Sequence, residues 1–274
     1  MTAIQAPSRT RTPTRTYALR DSATMLRRNL RRMQRYPSLT IMLVGVPVIL
    51  LLMFVYVFGG TLGSGIGGVT GGRAEYVNYV TPGILLITIA STAQGTAIAI
   101  AMDMTEGIID RFRTMAIYRP SVLAGHVIGS LIQTMVALAA VTGVALLIGF
   151  RPSASVVEWV AAGGVLVAIS LAVTWLSVAL GLVAKGVETA SSLPMPLFLL
   201  PFLGSGFVPT ESMPTAMRWF AEYQPFTPIM ETLRGLLLGS AIGNDGAIAL
   251  AWCAAITVGS YVWAKALYNR DPSA

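Results

Sequence analysis

The sequence predicts an all-α integral membrane protein with six transmembrane helices, and three observations predict it. First, six stretches carry no Asp, Glu, Lys or Arg: Arg35 to Arg73, Glu75 to Asp103, Arg119 to Arg151, Glu158 to Lys185, Glu188 to Glu211, and Asp245 to Lys265. Each is long enough to cross a bilayer, because a hydrocarbon core about 30 Å thick needs about 20 apolar residues at roughly 1.5 Å per residue. Second, 54% of the 274 residues are hydrophobic and only 11% are charged, against about 25% charged in soluble domains. Third, Lys and Arg fall mainly on alternate connections, as a fixed orientation in a membrane requires.

The spans are placed at 38–58, 80–101, 122–149, 156–184, 189–207 and 246–268. They use so much of the chain that no separate soluble domain of ~100 residues fits. The organisation is a basic tail (1–16), an amphipathic interface helix (17–36) and one six-span membrane domain (37–270). The first apolar run follows a long polar stretch and exceeds the 7–15 residues of a signal-peptide core, so it is read as a retained span. Six spans put both termini on one side. That side carries fifteen of the nineteen Lys and Arg residues, nine of them before the first span. The positive-inside rule therefore makes both termini cytoplasmic. The net charge of +7 sits beside a membrane segment, which points to lipid headgroups rather than nucleic acid.

Residues 1–16 are rich in Thr, Pro and Arg, have no apolar period and read as disordered. From Tyr17 to Tyr36, Leu19, Leu26, Leu30 and Met33 fall on one helical face and Arg27, Arg28, Arg31 and Arg35 cover much of the rest. Asp21 or Ser22 is placed to cap this helix and Pro37 to stop it, and such a helix lies in the membrane interface. The Gly-rich connection 59–72 is read as a linker. It sits on the side away from cytoplasmic nucleotide and precedes no phosphate-cradling pattern.

The connection from Asp103 to Pro120 is the most charged segment near the spans. Asp103, Glu106 and Asp110 have helical spacing that puts them on one face. Ile108, Ile109, Phe112 and Met115 supply an apolar counterpart, and Arg111 and Arg113 are interleaved. This is an amphipathic helix at the cytoplasmic surface. It is either a solvated loop with weak local ion pairs or a docking element for a partner. The fifth span carries Pro194, Pro196 and Pro201 and then Gly204-Ser205-Gly206, so it is kinked. Beyond it, Pro209, Pro214, Pro225 and Pro228 bracket two short helices near 213–222 and 228–238. Thr227 is placed to cap the second, and Glu231 and Arg234 to pair at i, i+3. Trp219, Phe220, Tyr223 and Phe226 are boundary-type aromatics, and the segment reads as a re-entrant hairpin entering the outer leaflet.

Gln94 and Gln133, with Thr88, Ser91, Thr92 and Thr96, are the polar side chains deep in the spans. They make interhelical hydrogen bonds or line a pathway. His126, the single histidine, sits near the cytoplasmic start of the third span, and Cys253 is a small packing residue in the last. No nucleotide-binding motif is present: neither Lys185 nor Lys265 follows G-x-x-x-x-G. Nor does a charged residue occupy the middle of a span, where ion-coupled carriers place their sites.

Three segments carry a resemblance: Asp103-Met-Thr-Glu-Gly-Ile-Ile-Asp-Arg-Phe-Arg-Thr-Met115, Phe207-Val-Pro-Thr-Glu-Ser-Met-Pro214 and Gln224-Pro-Phe-Thr-Pro-Ile-Met-Glu-Thr-Leu-Arg-Gly235. With the six-span layout, over roughly residues 17–268, the chain resembles the permease subunit of type-2 ABC exporters, and most of all the daunorubicin-resistance-type drug-efflux permeases of actinobacteria. The resemblance implies a non-catalytic subunit that moves a hydrophobic drug, antibiotic or lipid-like substrate outward across a bacterial plasma membrane. It implies two copies of a P-loop ATPase, which bind the ATP and Mg; the permease holds no cofactor of its own. It also implies a second permease copy, as a homodimer. Asp103, Glu106, Gly107, Asp110, Arg111, Phe112 and Arg113 would form the coupling helix on the ATPase. Pro209, Glu211, Pro214, Glu231 and Arg234 would belong to external re-entrant helices that close an outer gate. Thr88, Thr92, Gln94, Met195, Phe198 and Phe202 would line the pathway between permeases. Ala116 stands where the family pattern leads one to expect proline. Two other classes remain open on the residues alone: a stand-alone channel or ion-coupled carrier, and a membrane-embedded lipid-modifying enzyme built on the 103–110 acids.

Overall fold

The computed structural model describes residues 37–66, 72–107 and 120–268. The expected tail, the interface helix 17–36, and Asp110, Arg111, Phe112 and Arg113 lie outside them. Among the described residues every regular element is helical. α1 (Pro37–Met53) passes through a π-helical turn (Phe54–Phe58) into α2 (Gly59–Ile66). α3 (Arg73–Thr105), α4 (Pro120–Leu147) and α5 (Val156–Val183) follow. Two short helices, α6 (Val187–Ser192) and α7 (Met195–Leu199), lead into turns, and a 3-10 turn (Thr210–Ser212) precedes α8 (Thr215–Tyr223), α9 (Phe226–Leu238) and α10 (Asp245–Tyr268).

Five stretches are long and apolar enough to cross a membrane: Ile41–Gly63, Arg73–Thr105, Leu123–Leu147, Val156–Val183 and Asp245–Tyr268. α3 is the centre of the bundle. Its most apolar window is 78% buried, against 56% or less in the other four, and it touches α1, α2, α4, α5, α6, α7 and α9. α10 packs against α5 and α9. On the outside, Ile41, Met42, Leu147, Val156, Val157 and Val262 are largely exposed. So many outward aliphatic side chains are stable in hydrocarbon, where backbone groups must be satisfied within the helices themselves. In water they would form one large apolar patch.

Local sequence explains where the helices start and break. Ser155 begins α5 with a capping box: its Oγ accepts from the Glu158 N–H at 3.4 Å, and Glu158 Oε2 accepts from the Ser155 N–H at 2.6 Å. α3 runs further than the charge-free window because Arg73, Glu75 and Asp103 lie within it; its ends extend past the apolar stretch. The stretch 189–207, expected as one kinked span, is divided into α6, α7 and consecutive turns. Pro194, Pro196 and Pro201 each lack an N–H and crowd the preceding turn, and three of them within eight residues leave no room for a continuous helix.

Candidate functional site

Two clusters of polar side chains mark the two ends of α3, roughly 36 Å apart along a helix rising about 1.5 Å per residue. At the C-terminal end of α3, Asp103 is buried and its Oδ2 lies 3.1 Å from His126 Nε2 on α4, which is buried too. Glu106, expected on the same face as Asp103, is exposed: α3 stops at Thr105, and Glu106 is its C-cap. Gly107 follows with φ +67°, a left-handed conformation that suits glycine. Of the seven expected coupling residues, then, Asp103 turns into the bundle while Glu106 and Gly107 begin the connection towards α4.

The other cluster lies around Arg234 on α9. The expected i, i+3 pair is present: Arg234 Nη1 donates to Glu231 Oε1 at 2.5 Å. The same guanidinium reaches much further than that pair. Nη2 donates to the backbone carbonyls of Ser205 at 2.9 Å and Tyr79 at 3.3 Å, and the group lies 4.0 Å over the Tyr79 ring. Arg234 Nε is buried without a hydrogen-bond partner among the described residues. Beside it, Gln224 Nε2 donates to Leu200 O at 3.0 Å. Thr227 does not cap α9. Pro225 occupies that position, and the Thr227 hydroxyl, one residue inside the helix, donates to Ala221 O at 2.6 Å. Glycine is required where α3 meets the turns: a Cβ on Gly83 would sit 2.8 Å from Gly206 O.

The remaining expected gate residues, Pro209, Glu211 and Pro214, belong to the connection before α8, apart from the Glu231–Arg234 pair in sequence and with Glu211 and Pro214 exposed. α8 itself is exposed along most of its length, with Trp219 and Tyr223 5.3 Å apart on one side. Arg218 Nε donates to Glu222 Oε1 at 2.7 Å on another side. That hydrogen bond and the carboxylate charge push the Arg218 guanidinium further up from its ordinary value.

The expected pathway residues fall into separate places. Thr88 and Thr92 are buried, and their hydroxyls donate back to Ile84 O and to Thr88 and Ile89 O. Thr92 also accepts from Thr134 at 2.9 Å, and Thr96 meets Ser130 at 2.5 Å, so the threonines join α3 to α4. Gln94 Nε2 donates to Ser191 O on α6 at 2.5 Å. Phe198 and Phe202 belong to a run of rings with Phe54 and Phe207, in which Phe202 and Phe207 are stacked at 4.5 Å. Met195 is exposed. Among the described residues no group of three His, Cys, Asp or Glu is placed to hold a metal ion.

Sequence reasoning missed two features: the Asp103–His126 pair, and the carbonyls that Arg234 binds. The pair was signalled only by the chain's single histidine falling near a charged helix end. The carbonyls carry no side-chain signal at all.

Among the described residues, an all-helical bundle with five apolar helices of spanning length and outward-facing aliphatic side chains defines a multi-pass membrane protein. Residues 21–238 match the ABC-2 type transporter family, and the chain belongs to that family. It is 32% identical over 230 residues to the daunorubicin resistance ABC transporter permease protein DrrB1 of Streptomyces coeruleorubidus, covering 84% of this chain and 79% of that one. It is 25% identical over 217 residues to the probable doxorubicin resistance ABC transporter permease protein DrrC of Mycobacterium tuberculosis, covering 77% and 76%.

Proposed function

We propose that this chain is the transmembrane subunit of an ATP-driven exporter that moves a hydrophobic drug, antibiotic or lipid-like molecule outward. The observation that carries the reading is the 32% identity to a daunorubicin resistance permease over most of both chains. In this reading two permeases pair as a homodimer with two P-loop ATPase subunits in a bacterial plasma membrane, and those subunits bind ATP and Mg. Both termini are cytoplasmic, and the divided stretch 189–207 supplies the fifth of six crossings.

Glu106, Gly107, Asp110, Arg111, Phe112 and Arg113 meet the ATPase. Asp103 anchors the root of that connection from inside the bundle, through His126. Closure of the ATPases on ATP pushes the connection, and α3 carries the movement. It is continuous from Arg73 to Thr105, about 50 Å at roughly 1.5 Å per residue, so displacement at one end reaches the other. There, Glu231 and Arg234, with Pro209, Glu211 and Pro214 in the neighbouring connection, form the outer gate. Thr88, Thr92, Gln94, Met195, Phe198 and Phe202 come to line the route once the α3 and α6–α7 surfaces shift.

The test is capture of the tagged chain in mild detergent from its own host, with mass spectrometry of what accompanies it. A P-loop ATPase in near-equal amount is the expected result. A folded, dimeric preparation without one overturns the reading in favour of a stand-alone carrier. On the same preparation, reversing both charges of Glu106 and Arg111 is expected to abolish export. Unchanged export removes the docking role.

A further inference from the structure

We propose that Arg234 is a permanent pin, which makes the N-terminal end of α3, the turns at 200–207 and α9 one rigid unit at this end of the bundle. The proposal rests on the permease reading only where it concerns the transport cycle.

Each of these three segments carries a weakness that Arg234 covers. α3 contains Pro82, whose missing N–H would have served the Asn78 carbonyl, so the turn is loosened at Asn78 and Arg234 braces it one residue on, at Tyr79 O. The turns at 200–207 lack a helical ladder, so their carbonyls need partners from elsewhere. α9 approaches both, but only backbone fits at the crossing of α3 and the turns, where Gly83 and Gly206 meet. No side chain from either glycine can fasten that contact. Arg234 fastens it from the side, donating to Tyr79 O in α3 and Ser205 O in the turns while holding Glu231 on its own helix.

The geometry depends on arginine in particular. A guanidinium is a planar fork that donates in several directions at once and stacks on a ring, whereas an ammonium is a compact point charge. Here the plane lies over Tyr79 while its edges reach the two carbonyls. The residue is only 8% exposed. Drawing the segments apart would strand a buried charge and leave the Ser205 carbonyl in the turns without this donor, which is strongly disfavoured. The pin therefore stays closed: Glu231 and Arg234 contribute to the outer gate as part of a unit that moves whole, and the opening takes place at the edges of that unit rather than through it. Arg234 acts as a positioning residue in this account.

The experiment measures distances between spin labels at Glu75 and Ser240, exposed positions before the α3 contact and after α9, with the full chain in nanodiscs and Cys253 replaced by alanine. The parent protein is expected to give one narrow distribution. In Arg234→Gln the distribution is expected to broaden about twofold as the segments gain independent motion. Arg234→Lys is expected to broaden it too, and serves where the glutamine variant does not fold. Labels at Val157 and Leu250, on α5 and α10, are expected to keep their width in the same variants. Unchanged width at 75/240, or equal broadening at both pairs, overturns the pin. In the complex with its ATPase, trapping with ATP and vanadate is expected to leave the parent 75/240 distance in place. A shift there overturns the permanence of the pin. Absence of an ATPase bears on the permease reading alone, because the label widths are read without one.

Discussion

The two ends of α3 are held in opposite ways. At the Asp103 end, α3 and α4 are regular helices, and a buried acid–histidine contact helps to join them. At the Arg234 end the chain is interrupted by prolines and reconnected by side chains that bind main-chain carbonyls, with two glycines allowing the backbones to touch. Side-chain pairs can be exchanged without disturbing the backbone. Carbonyl acceptors in a broken segment cannot, because the backbone itself is one partner. Substitutions at the Arg234 end should therefore change structure, and those at the Asp103 end should change the linkage between intact helices.

The sharpest way to break this contrast is at the backbone crossing. Gly83→Leu drives atoms into Gly206 and is expected to lower stability by about 3 kcal/mol, the upper part of the usual overpacking range. Gly164→Leu, at a position with nothing within 4 Å of its Cβ, is expected to leave the thermal midpoint in detergent unchanged. Equal effects at the two positions would show that the crossing is not as tight as described. Next in size, Asp103→Asn and His126→Gln are each expected to cost about 1–3 kcal/mol as buried polar groups lose a partner. Their double variant should cost less than the sum, because contacting residues couple. Strict additivity would show that the two do not act as a pair.

These experiments also mark what was legible in the sequence. Five spans follow from charge-free windows, because expelling charge from lipid is a composition-level requirement. The remaining window, the fifth at 189–207, is equally free of charge, yet helix continuity depends on proline positions as well as on apolarity, and the three prolines divide it. The α5 capping box and the Glu231–Arg234 pair depend on residues three apart and were within reach of a linear reading. His126 and Asp103 are 23 residues apart, and Arg234 and Tyr79 are 155 apart. Their meeting depends on how helices pack, which no local period records. The polar residues of α3 left both packing and pathway open in the sequence; in the structure Thr92 and Thr96 bond to α4 and Gln94 to α6.

Smaller effects refine the comparison. Ser155→Ala removes the α5 cap and is expected to cost about 1 kcal/mol, read as a lower unfolding midpoint. Thr134→Val, between the two ends, is expected to cost about 0.6 kcal/mol, the usual scale of a hydrogen bond between membrane helices. A larger loss there would move the mechanical centre of the bundle from its ends to its middle. Arg218→Ala, at an exposed i, i+4 pair on α8, is expected to leave the midpoint where it is.

The π-helical turn at Phe54–Phe58 carries a consequence for how the chain tolerates insertion and deletion. Such a turn holds one residue more than the surrounding helix. At 3.6 residues per turn, each residue advances the helix by about 100°. Removing one residue from this turn would regularise the helix while leaving the faces on either side nearly in phase. The same deletion in α3 or α5 would rotate every later side chain away from its partners. Length variants among relatives should therefore gather at Phe54–Phe58 and spare the central helices, and the phenylalanine that faces Phe207 is the side chain by which such variants would be re-registered.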